Sequence, residues 1–172
     1  SLRRLAGRER LPESLADLEA LLKEELGERT WEVLAHVIGL AGGVPCSQSE
    51  AAALLGVTRQ RVSQMADLTR LRAEASWGHH LVTVVGDAMP PAGFATLEIA
   101  AAGLAARLPT TEGGPSALGY ARLAGLLLRP EARPSEAPDL QRVVRPPWTE
   151  EQIGELQSRL GSIGSWPPVP RA

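Results

Sequence analysis

Apolar residues recur every three or four positions along most of the chain. Leu15, Leu18, Leu22 and Leu26 are the clearest series of this kind. A helix completes a turn every 3.6 residues, so this spacing gathers the apolar side chains on one helix face. The same reasoning along the chain predicts helices over 12–26, 28–40, 48–55, 58–75, 81–89, 96–108, 115–129 and 149–160.

The segment LVTVVGDAM, residues 81–89, is rich in residues that favour strands. Its apolar positions nevertheless follow helical spacing, with Leu81, Val84, Val85 and Ala88 at i, i+3, i+4 and i+7. Because no neighbouring segment could pair with a lone strand, we expect a helix here.

Glycine, proline and hydroxyl residues mark the expected helix ends. Ser47 and Glu50 have the spacing of a capping box, in which each side chain binds the backbone N–H of the other residue. Gly56 is expected to end that helix, and Thr58 is expected to cap the next. Pro115 fits the first position of the helix over 115–129.

A weak internal repeat suggests how the helices are grouped. The segments GGVPCSQSEAAALL and AGFATLEIAAAGL each place a hydroxyl cap before an Ala-Ala pair and a leucine. We therefore predict an all-α fold of two tandem three-helix units, at 12–75 and 80–129. Residues 130–147 hold five prolines and are expected to be a linker, before a C-terminal helix and tail at 148–172. Phe94 fits either a small wing between helices of the second unit or a plug in its core.

Composition narrows the class of protein. The 172 residues carry a formal net charge of −2, so any attraction for nucleic acid must come from a local patch. Cys46 is the one cysteine, which excludes an internal disulfide and favours a cytoplasmic, nucleoid-associated location. No apolar run approaches the length of a membrane span. Because the chain opens with Ser1 rather than Met, we expect an excised piece of a longer protein or a processed chain.

The sequence lacks the residue sets that catalysis or metal binding requires. Its histidines are His36, His79 and His80, and neither the adjacent pair nor Cys46 has the spacing of a zinc site. A catalytic triad needs a nucleophile, a base and a third residue that orients the base. The sequence offers no such set, so no triad is predicted. We expect no enzyme activity, no metal and no cofactor.

The residues around Gly56 are of the types that a helix-turn-helix needs. Two helices that cross at a tight turn require a small side chain at their contact and a glycine that accepts positive φ. Apolar side chains beside the turn and in the second helix must face the shared core. The residues that meet these requirements are Ala52, Leu55, Gly56, Val57, Val62 and Met65.

A helical wheel centred on Val62 separates two sides of the second helix. Polar side chains fall opposite Val62, and arginine and glutamine are the side chains that read guanine and adenine in the major groove. Residues 58–75 contain four arginines against Asp67 and Glu74. The residues expected to contact bases are Arg59, Gln60, Ser63 and Gln64. The residues expected to contact phosphates are Thr58, Arg61 and Arg70.

An alternative remains open for these arginines. They could pair with the acidic residues of 13–32, which would leave the motif as a packing unit only. For Arg61, on the flank of the helix, such a pairing and a phosphate contact fit the sequence equally well.

Residues 27–65 resemble region four of the bacterial RNA polymerase sigma factors. The matching stretches are WEVL, GLAGG, SEAAALLGVT and TRQRVSQ. The resemblance implies a helix-turn-helix that binds a promoter element and docks on RNA polymerase, with Arg59, Gln60 and Gln64 at DNA-reading positions. The family usually has an acidic residue where Gln60 stands and a basic one where Ser63 stands.

The order of the two units resembles a second family. A region-four-like unit followed by a small helical unit is similar to an internal segment of the large serine/threonine kinases of bacterial phage-exclusion systems. These residues contain no kinase motif.

The sequence therefore predicts sequence-specific binding of double-stranded DNA, in the regulatory module of a larger bacterial protein. A rival hypothesis is a protein-interaction module that docks on RNA polymerase or on other domains of a parent protein. The near-neutral charge and the apolar helix over 115–129, which we expect to serve packing or homodimer formation, favour the rival. A third hypothesis is a linker between domains, without a ligand.

Overall fold

The computed structural model describes residues 12–40, 42–75, 78–89, 93–129, 137, 139–144 and 148–162. For residues 68–75, 78–80, 88, 150, 161 and 162 the description covers the backbone only. The tail that follows the last helix, residues 163–172, lies outside the described residues.

The described part of the chain is mostly helical, as the sequence predicts. It contains eight helices and one two-stranded sheet. Residues 81–88 are helical, as their spacing indicates, and Met89 follows the end of that helix. The strands are β1 (Phe94–Thr96) and β2 (Arg142–Val144). The helices are α1 (Leu15–Leu26), α2 (Glu28–Ile38), α3 (Gln48–Leu55), α4 (Arg59–Ala75), α5 (Gly78–Ala88), α6 (Leu97–Arg107), α7 (Ala117–Leu127) and α8 (Glu150–Ser162).

Hydroxyl side chains begin several of these helices. At the start of α3, Ser47 Oγ accepts the Glu50 N–H at 3.2 Å, and Glu50 Oε2 accepts the Ser47 N–H at 2.7 Å. This is the expected capping box. At the start of α6, Thr96 Oγ1 accepts the Ile99 N–H at 3.4 Å. These contacts satisfy backbone donors that have no partner within the helix.

The start of α7 differs from the prediction. The sequence places Pro115 at the first helical position, but α7 begins at Ala117. Ser116 is its N-cap, and the Ser116 hydroxyl accepts the Gly119 N–H at 3.3 Å. A serine hydroxyl can accept a hydrogen bond from a backbone N–H, whereas a proline ring has no acceptor atom. The Ser116 hydroxyl therefore determines where the helix begins.

One hydrophobic core connects helices α1 to α7. α2 packs on α1, α3 and α4, while α7 packs on α5, α6 and β2. α7 also contacts α2 and α4. The two groups of helices therefore share their core. Side chains at its centre are Leu22, Val37, Val62, Leu104 and Tyr120.

The start of α7 crosses the end of α2 at very short range. Gly119 lies against the carbonyl of Gly39, which ends α2 with a φ of 75°. Ser116 donates its N–H to the Leu40 carbonyl at 2.9 Å. Only a residue without Cβ allows the two backbones to approach this closely, so Gly119 determines how α7 sits on α2.

Arg122 is the charged side chain at this crossing, and only 5% of it is exposed. Its Nη1 donates to the Ile38 carbonyl at 2.7 Å. Carbonyls at a helix C-terminus carry partial negative charge and stabilise a cation. Burial disfavours the charged form and lowers the pKa of the Arg122 guanidinium, and the hydrogen bond to the Ile38 carbonyl offsets part of the cost of burying the charge. The apolar helix is thus used for packing within the chain.

Part of the expected linker is instead a strand. Residues 142–144, within the proline-rich range 130–147, form β2, which pairs antiparallel with β1. Phe94 lies opposite Val144 in this pair and is half-buried. The prolines obscure this element because it is short and its partner strand lies far away in the chain.

The crossing of α7 on α2 predicts a specific loss of stability. A Cβ added in Gly119→Ala would overlap the Gly39 carbonyl, so the backbones must separate. Forcing an extra methyl group into a packed site costs about 1–3 kcal/mol. We expect Gly119→Ala to lower the free energy of unfolding by that amount, measured by chemical denaturation.

Gly154→Ala is the matched control for this substitution. Gly154 is also helical, but a Cβ there meets no atom within 4 Å. Alanine favours a helix over glycine by about 1 kcal/mol, so this variant should be at least as stable as the unchanged chain. Equal stability of the two variants would contradict the close crossing.

Candidate nucleic-acid interface

α3 and α4 are joined by a three-residue connection, residues 56–58. Gly56 adopts the left-handed conformation with φ 66°, and the Val57 N–H donates to the Ala52 carbonyl at 3.1 Å. Thr58 then caps α4, since its Oγ1 accepts the Arg61 N–H at 3.2 Å. A glycine is suited to this turn because other residues rarely adopt a positive φ.

The residues predicted to hold the two helices together lie on the inner side of this pair. Ala52 in α3 and Val62 and Met65 in α4 are buried. Leu55 and Val57 are half-buried and pack against the same core. α4 is therefore fixed through one face, and its orientation follows from α2 and α3.

The opposite face of α4 carries most of the residues predicted to contact DNA. Arg59, Gln60, Arg61 and Gln64 are exposed, whereas Ser63 is half-buried. Thr58 is exposed at the start of the helix. The backbone of residue 70 belongs to α4, but the Arg70 side chain lies outside the described part. The first two turns of α4 thus present a polar surface that faces away from the core.

The charge of this surface is positive but small. No acidic residue lies in the first turn of α4, and Asp67 is exposed farther along. Among the described side chains, Arg59 and Arg61 form no ion pair. No ion pair therefore joins these two arginines to the described acidic residues of 13–32, although Glu32 lines the same cleft as Arg61.

Arg29 is a further cation at this surface that the sequence argument did not select. It is exposed in the first turn of α2 and lines a cleft of about 70 Å³ together with Arg61 and Glu32. The cleft is far below the roughly 300 Å³ at which small-molecule pockets begin. Only the tertiary fold brings Arg29 beside Arg61, so their positions in the sequence gave no signal.

Cys46 and His36 lie near α3 but form no reactive pair. Burial, followed by the nearby Glu50 carboxylate, raises the pKa of the Cys46 thiol, and His36 is exposed. Across the described side chains, no three His, Cys, Asp or Glu residues come together as a metal-binding group would require. The polar face of α4 is therefore the best-defined candidate site in the region of α2 to α4.

Comparisons with protein-family models, with curated proteins and with solved structures found no match. No helix among the described residues has the length and apolar character needed to cross a membrane.

The capping box of α3 predicts a pH dependence of stability. Hydrogen bonding lowers the pKa of the Glu50 carboxyl below its ordinary value. The larger effect comes from the Ser47 backbone N–H and the smaller one from the Ser47 side chain. A group with a lowered pKa in the folded state adds stability above its unfolded pKa and loses it as the pH falls through the folded value. The stability difference between the unchanged chain and Glu50→Gln should therefore shrink below about pH 4.3, the ordinary glutamate pKa.

Urea denaturation of the two chains from pH 7 to pH 3 measures this difference. Glu98→Gln is a suitable control, because Glu98 also lies in the first turn of a helix and shows no capping-box contact. A difference for Glu50→Gln that is constant across the pH range would show that the carboxylate charge has no part in the cap.

Proposed function

We propose that α3 and α4 form a helix-turn-helix that binds double-stranded DNA, with α4 in the major groove. The observation that carries this proposal is the division of α4 into two faces. Val62 and Met65 hold the helix to the core, while Arg59, Gln60 and Gln64 are exposed in its first two turns. Recognition residues occupy this N-terminal part of the second helix in such motifs.

Sequence selection is assigned to Arg59, Gln60, Ser63 and Gln64. Arginine donates two parallel hydrogen bonds to guanine, and glutamine both donates to and accepts from adenine. Ser63 is half-buried and short, so its contact would be limited to a base that approaches the helix closely.

Phosphate contacts are assigned to Thr58, Arg61 and Arg70, and Arg29 is added to them. Arg29 and Arg61 line one cleft from α2 and α4, and their two positive charges outnumber the single Glu32 carboxylate there, which favours a shared contact with one DNA strand. Cations that neutralise phosphates supply affinity that is independent of sequence and falls with salt. The small positive excess of this surface supports a modest affinity for a single chain.

We infer further that the chain consists of two tandem units with different roles. α6 repeats features of α3: each has a hydroxyl cap, and each buries an Ala-Ala pair, Ala51-Ala52 in α3 and Ala100-Ala101 in α6. The helices that follow them differ, because residues 119–126 of α7 are buried whereas the first turns of α4 are exposed. The second unit therefore supports the first, and α4 is the reading helix.

The likeness to sigma region four supports a place for this chain in a larger bacterial protein, with regulation of transcription or phage exclusion as its setting. Docking on RNA polymerase or on a parent protein is the second candidate function. Two exposed apolar side chains favour it: Leu54 on α3 is 68% exposed, and Val44, in the loop before α3, is 79% exposed. Neither faces the core, so both are available to a protein partner.

Fluorescence anisotropy with a labelled random-sequence duplex tests the DNA-binding proposal. We expect binding at low salt that weakens steeply as salt rises, because counterions are released from phosphates. Arg59→Ala/Gln60→Ala removes two exposed groups from α4 without touching the core. Its affinity should fall about tenfold or more, since lost hydrogen bonds from charged groups cost about 1.5–3 kcal/mol.

Arg107→Ala is the control for the loss of one positive charge. Arg107 is exposed in the last turn of α6, outside α3 and α4. Arg107→Ala should lower the affinity for DNA far less than Arg59→Ala does. Absence of binding at low salt, or equal losses for Arg59→Ala and Arg107→Ala, would argue against α4 as the DNA-binding helix and in favour of the docking function.

A further inference from the structure

A cleft of about 280 Å³ opens beside the β1–β2 sheet, away from α3 and α4. Ala95 and Val143 point from the sheet into the core, so their neighbours in each strand point to the other side. α8 partly covers that side. Arg142 Nη1 of β2 donates a hydrogen bond to Gln157 Oε1 of α8 at 2.7 Å, and Ile153 of α8 is buried.

The side of this cleft formed by β1 and α6 carries its large apolar side chains. Phe94 and Ile99 line it, and the Phe94 ring meets the Trp148 ring edge-on, with centroids 6.3 Å apart. Ile99 is 52% exposed although it is a large aliphatic residue. An aromatic ring and an aliphatic side chain beside one cavity form a surface that an apolar ligand body would cover.

The side formed by β2 and α8 is rich in hydrogen-bond donors. Gln141, Arg142 and Gln157 line it, and Thr96 of β1 pairs with Arg142 in the sheet. Because Gln157 Oε1 accepts from Arg142, the NH₂ group of the Gln157 amide is the part left to meet a ligand. The Thr96 oxygen already accepts the Ile99 N–H, so its own O–H is a donor. Among the described residues that line the cleft, the charged one is Arg142, whose guanidinium is cationic.

We propose that this cleft binds a small organic ligand with a flat apolar body and a carbonyl-type oxygen head group, either a carboxylate or a carboxamide. The apolar body lies against Phe94 and Ile99 on the β1–α6 side, and the head group accepts hydrogen bonds from the β2–α8 side, formed by Gln141, Arg142 and Gln157. The cavity approaches the lower size limit of ordinary ligand pockets, about 300 Å³. None of these residues belongs to the proposed DNA interface, so the two proposals are independent.

Saturation-transfer NMR on the full 172-residue chain tests this proposal with three naphthalene probes. The probes are 2-naphthoate, 2-naphthamide and (2-naphthylmethyl)ammonium, which share one apolar body and differ in the head group. A ligand of this size at about 0.3 kcal/mol per heavy atom gives a Kd on the order of 1 mM. We expect 2-naphthoate or 2-naphthamide to bind in this range, and the ammonium probe, which has no acceptor, to bind at least about tenfold more weakly.

Comparing the two acceptor probes identifies the kind of head group. Tighter binding of 2-naphthoate than of 2-naphthamide indicates a carboxylate ligand that uses the Arg142 charge. Equal affinities of the two probes indicate an acceptor recognised by the side-chain amides of Gln141 and Gln157. Equal binding of the ammonium probe would overturn the proposal, as would a lack of saturation transfer at about ten times the expected Kd.

Variants then locate the bound probe. Ile99→Asp places a charge on the apolar side of the cleft, and because Ile99 is half-exposed the chain should still fold, which its thermal transition checks. The Kd should rise about tenfold or more. Val44→Asp is the control, since Val44 is 79% exposed and does not line the cleft. An equal effect of the two variants would place the probe elsewhere and overturn the assignment.

Discussion

The close crossing of α7 on the end of α2 determines the rest of the structure. Gly119 lies against the Gly39 carbonyl, and the neighbouring carbonyls of Ile38 and Leu40 accept hydrogen bonds from α7. These contacts fix the point at which α2 ends and the chain turns toward α3. Because α2 also packs on α4, the crossing fixes the platform from which the polar face of α4 projects.

The same crossing makes the two halves of the chain unequal. α7 follows α6 as α4 follows α3, but α7 buries nearly all of its surface in the shared core. A buried helix cannot enter a DNA groove, so the proposed reading function falls to α4. The near-neutral net charge and the few cations on α4 fit the proposed DNA binding with an affinity that depends strongly on salt.

Much of the fold follows from local sequence signals. Leucine spacing predicts α1, and the Ser47–Glu50 box and Gly56 bound α3, because helix periodicity and capping depend on residues close in the chain. The strand β2 was missed, since its pairing with β1 is a long-range contact within a proline-rich segment. The predicted start of α7 at Pro115 is wrong because Pro115 and Ser116 can both begin a helix. The Ser116 hydroxyl is the one that caps α7.

In the candidate site, too, some features follow from local sequence and others depend on contacts between distant residues. The inward direction of Val62 and Met65 and the outward direction of Arg59 and Gln60 follow from the helix period alone. The position of Arg29 beside the same surface required the packing of α2 on α4, which no spacing in the sequence encodes.

Backbone amide shifts of the labelled chain, recorded by NMR while a DNA duplex is added, show which helix contacts the DNA. If α4 enters the major groove, the shifts concentrate at residues 58–64, in the connection and first two turns of α4, and residues 117–127 of α7 are unaffected. Shifts that centre on α7 or on the cleft beside the β1–β2 sheet, with α4 unchanged, would contradict the proposal that α4 contacts the DNA bases.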